Sequence, residues 1–239
     1  MGADDLSHLL AVQDLDTRAD QLRHRRAHLP EASARRSVED AHTASRAEAD
    51  QLERRRADLA AIRDAGEATT AANARQRQSL DRKLAAASSS READALTAEL
   101  AALAARQSAL DDEILDALMT LETLDDEVGT LARRLDDLAA RLLVARADEA
   151  LAAAVVDAEL DDVVSQRAAA AAAVPAGLLG RYEALRRRLG GVGVARVVER
   201  RCGGCNLALP SAEIEALRHL PAGEPGECTQ CGRMLVGNT

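Results

Sequence analysis

Between Leu96 and Leu142 the chain places a seam residue at alternating four- and three-residue steps, from Leu96, Leu100 and Leu103 through Leu110, Ile114 and Ala117 to Leu135, Leu138 and Leu142. Gln107 is the one polar member of this series. A 4-3 rhythm held this long predicts a coiled-coil seam rather than a merely amphipathic surface helix. The rhythm weakens through Ala145, Ala152, Val156 and Val163, and an alanine run over 168–173 leads to Pro175.

Upstream, Val12, Leu15, Ala19, Leu22 and Leu29 predict a helix over Leu6–Leu29, interrupted in pattern at Arg26. Pro30 then breaks or kinks it and suits the first turn of the next helix, where Glu31 favours the N-terminal dipole. A weaker seam follows: Val38, Ala41, Ser45, Leu52, Leu59, Ile62, Gly66, Thr69 and Leu80. Gly66 costs this arm about 1 kcal/mol relative to Ala, so fraying is expected there. The small-residue run from Ala85 to Ser90 ends the arm, and Ser89 with Glu92 forms a capping box that starts the next helix.

Two arms of similar length around one turn predict an antiparallel hairpin, on the order of 120 Å long at helical rise. A turn near Ser88 sets Leu80 against Leu96, Leu59 against Ala117 and Leu22 against Ala154. The rival arrangement is a parallel dimer through the second arm. After Pro175 a short helix is expected from Ala176 to Leu189, stopped by Gly190-Gly191. Val192–Val198 alternates as a strand does, Ser211 is the expected N-cap of a helix running to about Leu220, and Arg233–Val236 is expected to pair with an earlier strand.

All four cysteines lie in the last forty residues, as Cys202-Gly203-Gly204-Cys205 and Cys228-Thr229-Gln230-Cys231. Two Cys-x-x-Cys turns can aim four thiolates at one centre and complete the tetrahedron that Zn²⁺ accepts. Gly203, Gly204 and Gly232 suit knuckles whose backbone takes positive φ. Two disulfides would fit a secreted chain, but Asp4 and Asp5 stand where a signal peptide needs basic and apolar regions. A redox pair would need a βαβ setting that the pattern lacks. The expectation is one structural Zn²⁺ held by Cys202, Cys205, Cys228 and Cys231, in a cytoplasmic protein.

Composition changes the picture in two ways. The chain has no Phe or Trp and a single tyrosine, Tyr182, so aromatic side chains cannot fill a large core. Charge is uneven within a net of −9: residues 1–180 hold 22 basic and 34 acidic side chains, whereas 181–239 hold nine Arg against six Glu. Arg186, Arg187, Arg188, Arg196, Arg200 and Arg201 therefore form a candidate phosphate-contacting face beside the cysteines. The alternative account of Arg186–Arg188 is a helix C-terminus stabilised by positive charge. No uncharged run is long enough to span a bilayer.

Other clusters are weaker. Asp111-Asp112-Glu113 and Asp125-Asp126-Glu127 fall outside the seam register and read as solvated flanks. His24 and His28 are spaced as two ligands on one helix face but lack a third, and His219 is not needed beside four thiolates. Gly191-Val192-Gly193 lacks the third glycine of a dinucleotide fingerprint.

Taken together, the second-arm start Ser90–Leu100, the Tyr182-Glu183-Ala184-Leu185-Arg186 helix, Cys202–Cys205 with Leu207–Pro210, and Cys228–Leu235 resemble the bacterial four-cysteine zinc-ribbon family with an N-terminal coiled-coil hairpin. The resemblance covers nearly the full length. It implies a mainly α fold, a coiled-coil hairpin over 1–174 with its turn near 85–91, followed by a short helix and zinc ribbon over 175–239. It also implies a non-enzymatic protein that acts as an adaptor for transcription or secretion machinery or binds nucleic acid, as monomer or homodimer, with the four cysteines as zinc ligands. Neither a small-molecule substrate nor a membrane is expected as a partner.

Overall fold

The computed structural model describes residues 3–221 and 223–237. Its elements run α1 (Ala3–Ala27), α2 (Pro30–Ala85), α3 (Ser90–Ala172), α4 (Ala176–Arg188), β1 (Val194–Val198), β2 (Arg201–Cys202), α5 (Ser211–Arg218), β3 (Gly226–Glu227) and β4 (Met234–Val236). The fold is mainly α, a helical hairpin followed by a small region of strands, as the periodicity predicts. Two compact units divide it: residues 34–145, and the chain up to Ser33 together with the chain from Arg146 onward.

Within 34–145, α2 and α3 pair antiparallel. Asn73 contacts Gln107 at 2.8 Å, whereas Arg56 contacts Asp125 at 2.7 Å, so partner numbers rise as those on α2 fall. Every one of the seam positions expected between Leu96 and Leu142 is buried or partly buried. Gln107 accepts from Asn73 and donates to Thr70 at 2.9 Å, a polar layer that fixes register because a slip would leave these groups unpaired.

The first arm departs from expectation between Leu59 and Asn73. Ile62 is 49% exposed and Thr69 is exposed, while Arg63 and Thr70 turn partly inward. Gly66, between them, is buried in close approach to α3, where an added Cβ would lie 2.6 Å from Ile114 Cγ1. Gly66 faces the partner in either rhythm, and the structure follows the steps Leu59, Arg63, Gly66, Thr70 and Asn73 instead of Leu59, Ile62, Gly66 and Thr69. At the turn, Ser89 Oγ accepts the Glu92 N–H at 3.2 Å, as a capping box requires. The Glu92 carboxylate returns to the Ser88 N–H, one residue earlier than the usual arrangement.

In the second unit, Leu22 of α1 and Leu29, just past its end, pack on Ala153 and Val156 of α3, with Arg26–Asp157 and Arg18–Glu159 pairs at the rim. Helix α2 begins at Pro30, as anticipated. Leu178 and Tyr182 of α4 join Leu9 and Val12 of α1, Val194 of β1 and Met234 of β4 in one core. Helix α4 ends where Gly190 and Gly191 take φ of 71° and 100°, and the Gly191 N–H reaches Arg186 O at 2.9 Å. This is the glycine-terminated helix end that the sequence announces.

The strands form one sheet in the order β2-β1-β4-β3. β4 pairs parallel with β1 and antiparallel with β3, so Met234–Val236 closes onto an earlier strand as anticipated. The β1–β2 hairpin was not legible: its two-residue turn is Glu199-Arg200, at φ 50° and 62°, where Asn-Gly is the usual signal. Ser211 is not the N-cap of α5. Pro210 holds that position, and the Ser211 hydroxyl instead accepts from Arg200 at 2.8 Å. Among the described residues, no helix is long and apolar enough to cross a membrane.

Candidate metal centre

The two Cys-x-x-Cys turns meet. The hairpin β1–β2 delivers Cys202, whose N–H donates to Leu207 O at 3.0 Å while its carbonyl accepts the Asn206 N–H at 2.7 Å. The β3–β4 pair delivers Cys228, with its N–H on Arg233 O at 2.9 Å and its carbonyl accepting from Gly232 at 2.8 Å. Each pair thus sits where the backbone reverses, the first between β2 and Ala208, which bridges Arg201, and the second between β3 and β4.

All four Sγ atoms lie within 4.8 Å of one another; Cys202–Cys231 is 3.9 Å and Cys205–Cys228 is 4.0 Å. A tetrahedron with metal–sulfur bonds of about 2.3 Å has edges of about 3.8 Å, so the spacing fits a tetrahedral metal ion. It does not fit disulfides, whose sulfurs lie about 2 Å apart, and the cysteines are free thiols. The donor set is complete: no fifth side chain belongs to the cluster among the described residues. His219 stands apart, exposed beside Glu215 at 3.3 Å.

The setting is apolar on one side and hydrogen-bonded on the other. Cys202 and Cys228 are buried with Ala195, Leu209 and Leu235, and Ile214 and Leu217 of α5 pack over them. Burial pushes the Cys228 thiol up to about 12, and it raises Cys202 as well. At Cys231 burial is outweighed by hydrogen bonds from the Arg233 N–H and side chain, which draw it down to about 7. Gly204 N–H points at Cys202 Sγ from 3.4 Å.

The glycines work differently from expectation. Only Gly232 has positive φ, at 73°; the left-handed residue of the first turn is Asn206, at 60°. Gly203 and Gly204 are needed for space. A Cβ on Gly203 would lie 2.8 Å from Arg196 O, and one on Gly204 would lie 2.5 Å from Arg233 Cδ.

Sequence reasoning passed over two supports. Glu213 on α5 accepts both the Thr229 N–H, at 3.1 Å, and the Thr229 hydroxyl, at 3.0 Å, bracing the second turn. Arg233 donates to Val192 O and Leu189 O, at 3.0 and 2.9 Å, tying that turn to the end of α4. A cation two residues after the second cysteine pair was the one available signal for Arg233; nothing local marks Glu213.

The six arginines do not form one free face. Arg196 makes a bidentate pair with Asp14, at 3.0 and 2.7 Å, and Arg186 reaches Asp20 at 2.5 Å. Arg200 is on Ser211 and Arg201 donates to Asn206 O at 3.1 Å. Arg187 and Arg188 are exposed and have no ion pair among the described residues. The acidic triplets at 111–113 and 125–127 are exposed, and His24 and His28 stack on each other with centroids 4.2 Å apart.

Behind the centre, Gln13 of α1 is buried and accepts the N–H groups of Gly193 and Val194, at 2.8 and 3.4 Å. Its amide donates to Gly191 O at 3.1 Å. Asp16, one turn on, accepts from Tyr182 and from Arg167. α1 is therefore fastened to the strand region by polar groups that its heptad pattern did not flag.

Known proteins are similar to this chain. The chain is 31% identical over 232 residues to uncharacterized proteins of two Mycobacterium tuberculosis strains, MT2288 of CDC 1551 / Oshkosh and Rv2229c of H37Rv, covering 95% of this chain and 93% of each of theirs. Its fold is similar to that of a Mycobacterium smegmatis protein (TM-score 0.86, 24% identity, 99% of this chain and 100% of that one). It is also similar to CT398 from Chlamydia trachomatis (TM-score 0.84, 21% identity, 98% of both chains). HP0958 from Helicobacter pylori CCUG 17874 is more distant, with a TM-score of 0.57, 17% identity, and coverage of 99% and 98%. Residues 12–190 match the CT398-like coiled coil hairpin domain, and the chain belongs to that family.

Proposed function

We propose that this protein is a non-enzymatic adaptor in which one structural Zn²⁺, held by Cys202, Cys205, Cys228 and Cys231, sets a small module that docks a protein partner of the transcription or secretion machinery in the cytoplasm. The observation that carries this reading is the complete four-thiol set within 4.8 Å. Four thiolates fill the coordination of Zn²⁺ and leave no position for an activated water, which makes a structural role the natural one. The support for zinc over other metals is the soft, all-sulfur donor set in tetrahedral spacing.

The Cys228→Ser variant tests the metal. It is expected to lose zinc by elemental analysis and to lose order in the strand region, while the far-UV helical signal of the long helices persists. Stoichiometric zinc in that variant would sink the assignment. Affinity capture from native cytoplasm, with and without nuclease, tests the partner class: an adaptor keeps its partner after nuclease.

The second reading is nucleic-acid binding through the Arg-rich face. What favours it is that Arg187 and Arg188 are exposed and without ion pairs among the described residues. What weakens it is that Arg186 and Arg196 are already neutralised by Asp20 and Asp14. It predicts binding that falls steeply with salt and is lost when Arg187 and Arg188 are both made Ser; binding indifferent to either change rejects it.

A further inference from the structure

Helix α3 has two apolar faces in its C-terminal part, and only one is covered. Towards α1 it presents Ala153 and Val156, buried against Leu22 and Leu29. The opposite side carries Ala147, Leu151, Ala154 and Ala158, again at four-, three- and four-residue steps, with Val155 alongside. All five are exposed, Leu151 at 68% and Val155 at 55%. A heptad stripe in water on the back of a helix already used on its front is a second coiled-coil seam without an occupant.

Charge selects the occupant. Between Arg146 and Arg167 the helix carries six acids and no basic residue. Three of these acids serve or border the covered side: Asp157 and Glu159 take Arg26, Arg18 and Arg25 of α1, and Glu149 is partly buried. The other three, Asp148, Asp161 and Asp162, are exposed, bracket the open stripe at its two ends and have no ion pair among the described residues. The covered face is thus a template for the open one: an apolar seam met by a helix whose arginines answer acids on the rim. A second copy of α3 would bring like charges together over this length, and an anionic lipid surface would be repelled by the same acids.

We infer that the face of α3 bearing Leu151 and Val155 is a docking surface for a basic amphipathic helix of a partner protein, with an apolar stripe set into the seam and Lys or Arg on its flanks facing Asp148, Asp161 and Asp162. This names a partner chemistry for the adaptor reading and rests on that reading, but on a surface separate from the metal centre. Loss of the zinc module by Cys228→Ser tests the adaptor's ribbon, whereas the changes below leave the cysteines intact.

The probe is a fluorescein-labelled helical peptide of about three heptads with a Leu/Ala seam and Arg at the flanking positions, beside a version with Glu in place of every Arg. Fluorescence anisotropy with the full-length, zinc-loaded chain should show saturable binding of the basic peptide only. The affinity should fall by about tenfold or more in Leu151→Glu or Val155→Glu. It should also fall in Asp161→Arg with Asp162→Arg, and on raising salt from about 0.05 M to about 0.5 M. All four positions are exposed, so zinc content and the thermal melt should not change. Three results overturn the inference: equal binding of both peptides, equal binding by wild type and Leu151→Glu, or a self-associating chain whose dimer is abolished by Leu151→Glu, which would assign the face to a second copy.

Discussion

The hydroxyl of Tyr182 on α4 donates to Asp16 Oδ2 on α1 at 2.7 Å, inside the protein. Arg167 of α3 closes on the same carboxylate at 3.2 Å and on Glu183 at 3.1 Å. Helix α1 and the sequence-distant pair α3 and α4 therefore meet at one buried acid. Removing the tyrosine hydroxyl, in Tyr182→Phe, should destabilise the second unit by about 1.5–3 kcal/mol, the usual range for a hydrogen bond to a charged group. Asp16→Ala should cost more than that, because it removes the acceptor of the hydroxyl and one of the two carboxylates that Arg167 faces. Urea unfolding followed by far-UV dichroism measures both.

The same contact gives an alkaline signature. Burial, and then the Asp16 carboxylate, raise the Tyr182 phenol above its ordinary value. The folded state therefore holds a proton that the unfolded chain releases near pH 10. Its contribution is complete below pH 10 and is lost as pH rises beyond it. Tyr182 is the only tyrosine, so the zinc-loaded wild type should lose stability between about pH 9 and about pH 11, whereas Tyr182→Phe should lose markedly less over that range. Parallel stability curves for the two proteins would contradict the assignment.

At the metal centre, Gly203→Ala should be more damaging than its neighbour. The new methyl would press on the Arg196 carbonyl, which belongs to the β1 backbone and cannot move without breaking its 2.9 Å bond from the Gly203 N–H. At Gly204 the obstruction is the Arg233 side chain, which can rotate away. Competition titration with a chelator should show weaker metal retention for Gly203→Ala than for Gly204→Ala. The reverse order would mean that the first turn is not closed as described.

Metal uptake must displace protons. The Cys228 thiol, pushed up to about 12 by burial, and the raised Cys202 thiol give theirs up only when a cation replaces them. Zinc affinity should therefore fall steeply as pH drops from about 8 to about 6, with proton release on loading measurable by an indicator dye. Affinity that is flat across this range would argue against a four-thiolate site.

Gly66 offers a test in the hairpin. Alanine gains about 1 kcal/mol in helix propensity at an open site. Here the methyl would sit 2.6 Å from Ile114 Cγ1, and overpacking of this kind costs about 1–3 kcal/mol. Gly66→Ala alone should be neutral to destabilising in thermal melts, and adding Ile114→Ala, which clears Cγ1 and Cδ1, should turn Gly66→Ala into a stabilising change. If Gly66→Ala stabilises the wild-type background by the full propensity gain, the helices are further apart there than 2.6 Å implies.

How much of this was legible follows from range. The seam from Leu96 to Leu142 was readable because each position repeats the same local rule, and the structure buries or half-buries all of it. The expectation failed at Ile62 and Thr69 because a helix tolerates either step, three or four, and Gly66 faces inward in both, so only the pairing with α3, including Thr70 and Asn73 on Gln107, chooses. The cysteine spacing foretold a cluster. It did not foretell that Asn206 rather than Gly203 would carry the left-handed turn, since asparagine in a loop is a common sight with no single meaning.

The sequence by itself determined the helices, their antiparallel pairing around the turn at Ser89, and the pairing of two Cys-x-x-Cys turns, because periodicity, capping and ligand spacing are written within a few residues of one another. Tertiary structure alone decided what α1 is for. Gln13 and Asp16 lie outside its heptad rhythm, and their partners, Gly193 at 2.8 Å and Tyr182 at 2.7 Å, are far along the chain. Buried polar groups find partners wherever the fold places them, and no local pattern announces a bond that must wait for the chain to return.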